Sequence, residues 1–144
     1  MNCSGMKHLL MLGIALLAGT SVAAQSDEGP PYHIFSIYFG GGSWYIDEEQ
    51  SVELFEWLDS IEGLENHEIS IHGHTDDIGS IEYNRLLAHH RCESAFGKLL
   101  EKGIPGEVIS VTEFGEESPV FDNSTWSGKL KNRRVDIIIR PLVL

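Results

Sequence analysis

Apolar and polar positions change their period several times along the chain, and each change marks an element. Residues 33–39, "HIFSIYF", run apolar and β-prone and predict a strand, which Gly40, Gly41 and Gly42 end. Beyond Asp47, Leu54, Phe55, Leu58 and Ile61 recur on one helical face with Trp57 bordering it. Asp47 suits the N-cap of that helix, and Glu48 and Glu49 suit a first turn whose dipole favours anions. In "EISIHG" Ile69 and Ile71 alternate with polar neighbours, a second strand with one buried face. Ser80 then caps a long helix reaching about Lys102, stopped by Gly103 with Pro105 behind it. Its core stripe is Ala88, Cys92, Ala95, Phe96 and Leu99. Residues 108–114 and 133–140 read as two more strands, with Val135, Ile137 and Ile139 on one face of the last. Residues 115–131 between them read as a long connection, a kind of segment that usually carries function or disorder. The order β-α-β-α-β-β predicts an α+β two-layer sandwich, with helices on one face of a mixed four-stranded sheet.

The first residues follow a different rule. Lys7 and His8 precede the short apolar run "LLMLGIALLA", and small residues follow it, the pattern of a secretory leader. That run is far shorter than the roughly 20 residues needed to span a bilayer. Cleavage is expected after Ala24, giving a signal peptide at 1–24, a short linker at 25–31 and one domain at 32–144. Cys3 precedes the apolar run, so no lipidated cysteine follows it, and Cys92 alone remains after cleavage. A disulfide-free exported domain fits the periplasm better than a small secreted scaffold. The net charge is −12, and losing the leader removes Lys7 and no acid. Such a chain is expected to avoid nucleic acid and anionic lipid surfaces.

The chemistry concentrates in "HGHTDDIGS", residues 72–80, where a strand gives way to a helix. Gly73 and Gly79 permit tight or left-handed backbone and close approach of a ligand there. Asn84 and Arg91 lie seven residues apart and so share one side of the helix. A carboxylate at Asp76 facing that amide and guanidinium forms a receptor for a group bearing both an amine and a carboxylate. Spacing equally allows Asp76 and Arg91 simply to pair with each other. His72 and His74, with Asp76 or His89 and His90, offer a metal alternative, although the spacing matches no compact zinc motif. Ser80 or Thr75 with His74 and Asp76 offers a hydrolase alternative, but no nucleophile elbow flanks either hydroxyl.

The segments "ISIHGHTDDIGSIEYNRLLAHHR", "FGEESP" and "KNRRVDIII" together resemble the OmpA-like peptidoglycan-binding domain, over roughly residues 34–140. The resemblance implies a non-catalytic periplasmic module, without cofactor or metal, that binds the diaminopimelate of the peptidoglycan stem peptide. Carried over by motif, Asp76 would hold the ammonium and Arg91 the carboxylate, with Asn84 and the backbone around Ile78 assisting. Asn132 and Arg133 would line the rim, or Arg134 instead under another strand register. His74 would then be a structural hydrogen-bonder. Alanine at Asp76 or Arg91 is expected to abolish binding and leave the fold intact. Two positions depart from the family pattern: glycines fill the first loop where an aspartate is common, and Cys92 replaces the alanine usual after the arginine. No β-barrel, lipid-attachment cysteine or spanning anchor accompanies the motifs, so the wall-binding module alone is expected. A second reading keeps the same fold as an interaction module for other envelope proteins, through Trp44, Trp126 or the long connection.

Overall fold

The computed structural model describes residues 31–143, so the leader and residues 25–30 of the linker lie outside the described residues. The elements are β1 (His33–Tyr38), α1 (Glu48–Asp59), β2 (His67–His74), α2 (Ile81–Glu101), β3 (Ile109–Gly115), α3 (Trp126–Asn132) and β4 (Arg134–Pro141). The expected caps form: Asp47 accepts from Gln50 N, and Ser80 accepts from Tyr83 N. Each satisfies an amide that the first helical turn leaves without an intrahelical partner.

The four strands form one mixed sheet in the order β1-β4-β2-β3. β4 lies antiparallel to both β1 and β2, while β2 and β3 run parallel. One register row joins Phe35, Ile137 and Ile71, and the next joins Ile37, Val135 and Gly73, so the apolar positions of three strands share one face. Leu54 and Leu58 of α1 and Ala95 and Leu99 of α2 pack into the same core as Ile37, Ile69, Ile71, Ile137 and Ile139. The α+β sandwich with helices over one sheet face is therefore the observed architecture.

One element was not expected. Residues 115–131 are not a bare connection, because α3 occupies the end of that stretch. Thr125 Oγ1 caps it by accepting from Gly128 N at 3.0 Å. Gly128 is required there, since a Cβ on it would collide with the Asp122 carbonyl oxygen.

Candidate functional site

The site is assembled where β2 meets α2. A register shift between Gly73 and His74 ends the regular pairing with β3. Such a bulge re-aims the residues that follow it. The Thr75 N–H then donates to the Gly115 carbonyl at 2.8 Å, which holds the chain as it leaves the sheet. Asp76 Oδ1 accepts from the Ile78 N–H at 3.1 Å, closing a tight turn, and Gly79 at φ +109° carries the chain into the Ser80 cap. Asp76 is thereby fixed between the end of a strand and the start of a helix.

Its other oxygen, Oδ2, accepts from Arg133 Nε at 2.6 Å, and each of these side chains is only 8% exposed. Arg133 is the C-cap residue of α3, and its guanidinium lies 5.0 Å from the ring centroid of Trp126. Arg134 turns to Asp136 instead, with Nε 3.1 and 3.0 Å from the two carboxylate oxygens. Of the two arginines, Arg133 is thus the one that meets Asp76.

Arg91 is fully buried. Its Nε donates to the Ser43 carbonyl at 2.8 Å, Nη1 to that of His74 at 3.0 Å and Nη2 to that of Gly40 at 3.0 Å. It therefore ties the glycine loop after β1 to the end of β2 rather than pairing directly with Asp76. Burial pushes its guanidinium down to about 10, Asp76 opposing that shift and Arg133 reinforcing it. It remains a cation at neutral pH.

Asn84 is also fully buried. Its Nδ2 donates to Glu116 Oε2 at 2.6 Å, and Oδ1 is buried with no hydrogen-bond partner among the described residues. Because the carboxylate can only accept, the NH2 end must face Glu116, which leaves the free acceptor turned the other way. Asn132 behaves differently: its amide accepts from Phe121 N and donates to Phe121 O and to Asn123 Oδ1, pinning the loop before α3. Ile78 brings its backbone to Asp76 and leaves its side chain exposed.

The residues of the other two alternatives have local partners. His74 Nε2 lies 3.8 Å from Asp136 Oδ2, and its ring stacks on Phe114 with centroids 5.0 Å apart. Burial, helped by Arg134, pushes its pKa down to about 4 against the pull of Asp136. His89 contacts Glu113 at 2.6 Å and His90 contacts Glu93 at 3.1 Å. Ser80 serves as the cap of α2, and Thr75 Oγ1 donates to the Asp76 carbonyl at 2.8 Å. Gly73 makes room for protein, not for a ligand, because a Cβ there would collide with Cys92 Sγ and stand 2.9 Å from the Ala88 carbonyl.

A strand-end aspartate, a buried arginine on the next helix and an arginine just before the last strand occur here in one fixed arrangement. The sequence model of the OmpA family matches residues 38–133, which contain all of them. The chain belongs to the OmpA family. Among curated relatives, the outer-membrane lipoprotein YfiB of Pseudomonas aeruginosa is 32% identical over 114 residues, covering 78% of this chain and 68% of that protein. The peptidoglycan-binding protein ArfA of Mycobacterium tuberculosis is 31% identical over 81 residues, 56% of this chain but only 25% of ArfA. Among solved structures, the peptidoglycan-associated lipoprotein from Burkholderia pseudomallei superposes with a TM-score of 0.67 at 26% identity, covering 73% of this chain and 89% of that one. None of the described helices is long and apolar enough to cross a membrane.

Two residues of this OmpA domain border the site without having been singled out for it. Tyr83 is half-exposed and spans the gap between the two loops: a Cβ on Gly42 would stand 3.2 Å from its hydroxyl, and one on Gly79 would stand 3.0 Å from its ring. Its position three residues after the Ser80 cap was a usable signal. Trp126, 63% exposed, covers Arg133 because α3 starts there, and α3 was read as loop.

Proposed function

We propose that this OmpA domain is a non-catalytic wall-binding module of the periplasm that grips peptidoglycan through the diaminopimelate of its stem peptide. The observation that carries the reading is the polar floor at the β2–α2 junction, where Asp76, Arg91, Asn84 and Arg133 are buried beneath an exposed glycine loop. Buried charges are costly to maintain, and their concentration at a strand end beneath an exposed loop supports a recognition site there. In this reading Asp76 takes the ligand ammonium, Arg91 stands behind its carboxylate, and Asn84 Oδ1 accepts beside them, with the backbone around Ile78 assisting. The resemblance to ArfA and to a peptidoglycan-associated lipoprotein supports the same ligand class. Single sites of this kind bind weakly, and retention on the wall arises from its many identical stem peptides.

Export by a leader at residues 1–24 belongs to the proposal, and N-terminal sequencing of periplasmic protein is expected to begin at Gln25. Purified sacculi are expected to retain the wild type and to release Asp76→Ala. Losing a charge-assisted contact weakens binding at least about tenfold. Equal retention of both proteins, with unchanged circular dichroism, overturns the assignment. It would favour instead the reading as a module for other envelope proteins, supported by a groove of about 720 Å3 lined by Trp44, Tyr45, Val52 and Phe55.

A further inference from the structure

Two glycines lie within the three α-helices, and packing requires only one of them. Gly128 of α3 stands against the Asp122 carbonyl, whereas a Cβ on Gly97 of α2 would meet no heavy atom within 4 Å. Gly97 is not among the residues with positive φ either. Apart from proline, glycine is the least favourable residue in a helix interior, so the fold gives no reason for it. Its effect is to leave bare backbone in the lining of the groove between α1 and α2.

That groove has apolar walls. Trp44 and Tyr45, from the loop after β1, and Val52 of α1 are half-exposed or more, and Phe55 beside them rests against the core. The Trp44 ring lies against His90 of α2 with centroids 4.9 Å apart, which props that wall. The two serines of the lining are already engaged: Ser51 Oγ donates to the Asp47 carbonyl at 2.8 Å and Ser94 Oγ to that of His90 at 3.0 Å. With its hydroxyl hydrogens directed into its own helices, the lining favours carbon from an occupant.

The charge beside the groove selects what that occupant is. α1 exposes Glu48, Glu49, Glu53, Glu56 and Asp59 and contains no basic residue. The lysines of α2 nearby are matched, Lys98 by Glu101 at 3.2 Å and Lys102 by Asp59 at 2.7 Å. Glu48, Glu49, Glu53 and Glu56 have no ion-pair partner among the described residues. This excess of negative charge disfavours the carboxylates of the wall, anionic lipid and a second copy of a chain that itself carries a net −12. It favours a cationic partner surface.

We propose that the groove between α1 and α2 docks a basic amphipathic helix of a partner protein. Its apolar face lies against Trp44, Tyr45, Val52 and Phe55, its lysines or arginines stand beside the α1 glutamates, and the bare backbone at Gly97 permits close approach. No lining residue belongs to the polar floor of Asp76, Arg91, Asn84 and Arg133, so the inference goes beyond the wall-binding reading and does not depend on it.

The test follows amide NMR resonances of the isotope-labelled protein during titration with a synthetic leucine–lysine peptide of about 18 residues, leucine on one helical face and lysine on the other. Two control peptides carry glutamate in place of lysine, or the same composition with leucine spread over all faces. Saturable shifts centred on Tyr45, Val52, Ser94 and Gly97 are expected with the first peptide and not with the controls. Gly97→Gln is expected to weaken binding about fivefold or more, the scale of one interface position. The variant is expected to unfold at a temperature no lower than the wild type, because glutamine favours helix more than glycine does. It is also expected to keep wild-type retention on sacculi. Asp76→Ala is expected to bind the peptide as the wild type does whether or not it binds sacculi, which separates failure of this inference from failure of the wall-binding reading. Absence of binding, equal binding of a control peptide, shifts spread evenly over the acidic surface, or unchanged affinity in Gly97→Gln overturns the proposal. So do shifts at the same residues that follow protein concentration without peptide, which would assign the groove to a second copy.

Discussion

Helix α2 buries two different kinds of surface. Its C-terminal half contributes Ala95 and Leu99 to an apolar core shared with α1 and the sheet, while its N-terminal half buries Asn84 and Arg91, an amide and a full charge. Strand β2 makes the same change along its length, from Ile69 and Ile71 to the bulge at His74 and then Asp76. The apolar half contributes stability by removing carbon from water. The polar half stays buried only because named partners meet its groups: three carbonyls for Arg91, Glu116 for Asn84 and Arg133 for Asp76. Two buried polar atoms, Asn84 Oδ1 and His74 Nδ1, have no such partner among the described residues, and both lie at this end of the fold. Apolar packing and the polar groups of the proposed site are thus separated along one helix.

The largest expected effect breaks that separation. Arg91→Ala removes a buried cation that holds the carbonyls of Gly40, Ser43 and His74, and it leaves Arg133 as the only guanidinium near Asp76. A loss on the order of 3–5 kcal/mol in denaturant unfolding is expected, as for other broken buried charge networks, together with loss of sacculus binding. The sequence expectation that this substitution spares the fold is therefore revised, and Asp76→Ala is the cleaner binding variant. Leu99→Ala sharpens the contrast from the other half of the helix. It is expected to cost about 2–5 kcal/mol through transfer and cavity terms. The folded fraction should still bind sacculi like the wild type, because Leu99 touches no group of the polar floor.

A smaller effect depends on pH. Histidine ordinarily titrates near 6.5, and burial holds His74 down at about 4 in the folded protein. Above pH 6.5 neither state carries the proton and the full stability is present. As pH falls from 6.5 toward 4, the unfolded chain takes up a proton that the folded protein refuses, so stability declines by about 3 kcal/mol from this group. Unfolding free energies measured at pH 7 and pH 4 are expected to differ less in His74→Phe than in the wild type, by about that amount. Identical differences would remove His74 from the account of the polar half.

How legible each half was follows from the range of its interactions. Period and caps are local, so Asp47, Ser80, the core stripe of α2 and the strands with alternating isoleucines could be read within a residue or so of their observed bounds. The candidate site drew residues from 57 positions apart, as in Asp76 and Arg133, and no period records such a meeting. Whether Arg133 or Arg134 would face Asp76 depended on where β4 begins, which turned on α3. That helix has seven residues with a glycine among them, too short and too weakly apolar for its pattern to show. The three carbonyls held by Arg91 were hidden for the same reason, since backbone groups of loops leave no trace in side-chain chemistry.

The smallest expected effect tests the boundary between the two halves of the motif itself. Ser80 stands four residues after Asp76 and was one candidate nucleophile, yet its Oγ accepts from the Tyr83 N–H at 3.2 Å and starts the polar half of α2. A capping hydroxyl acts on stability through a single backbone amide, so Ser80→Ala is expected to cost about 1 kcal/mol and Ser80→Asp to restore most of it. Aspartate reproduces the acceptor and adds a negative charge where the helix dipole favours one. Tyr83, whose amide the cap holds, borders both loops of the site, so the alanine variant is expected to weaken sacculus binding only slightly and the aspartate variant to bind as the wild type does. A side chain that met the ligand directly would behave differently: aspartate would then repel the ligand carboxylate and bind worse than alanine. The order of the two variants in a sacculus pull-down, read beside their unfolding midpoints, therefore decides whether Ser80 belongs to the frame of the site or to its surface.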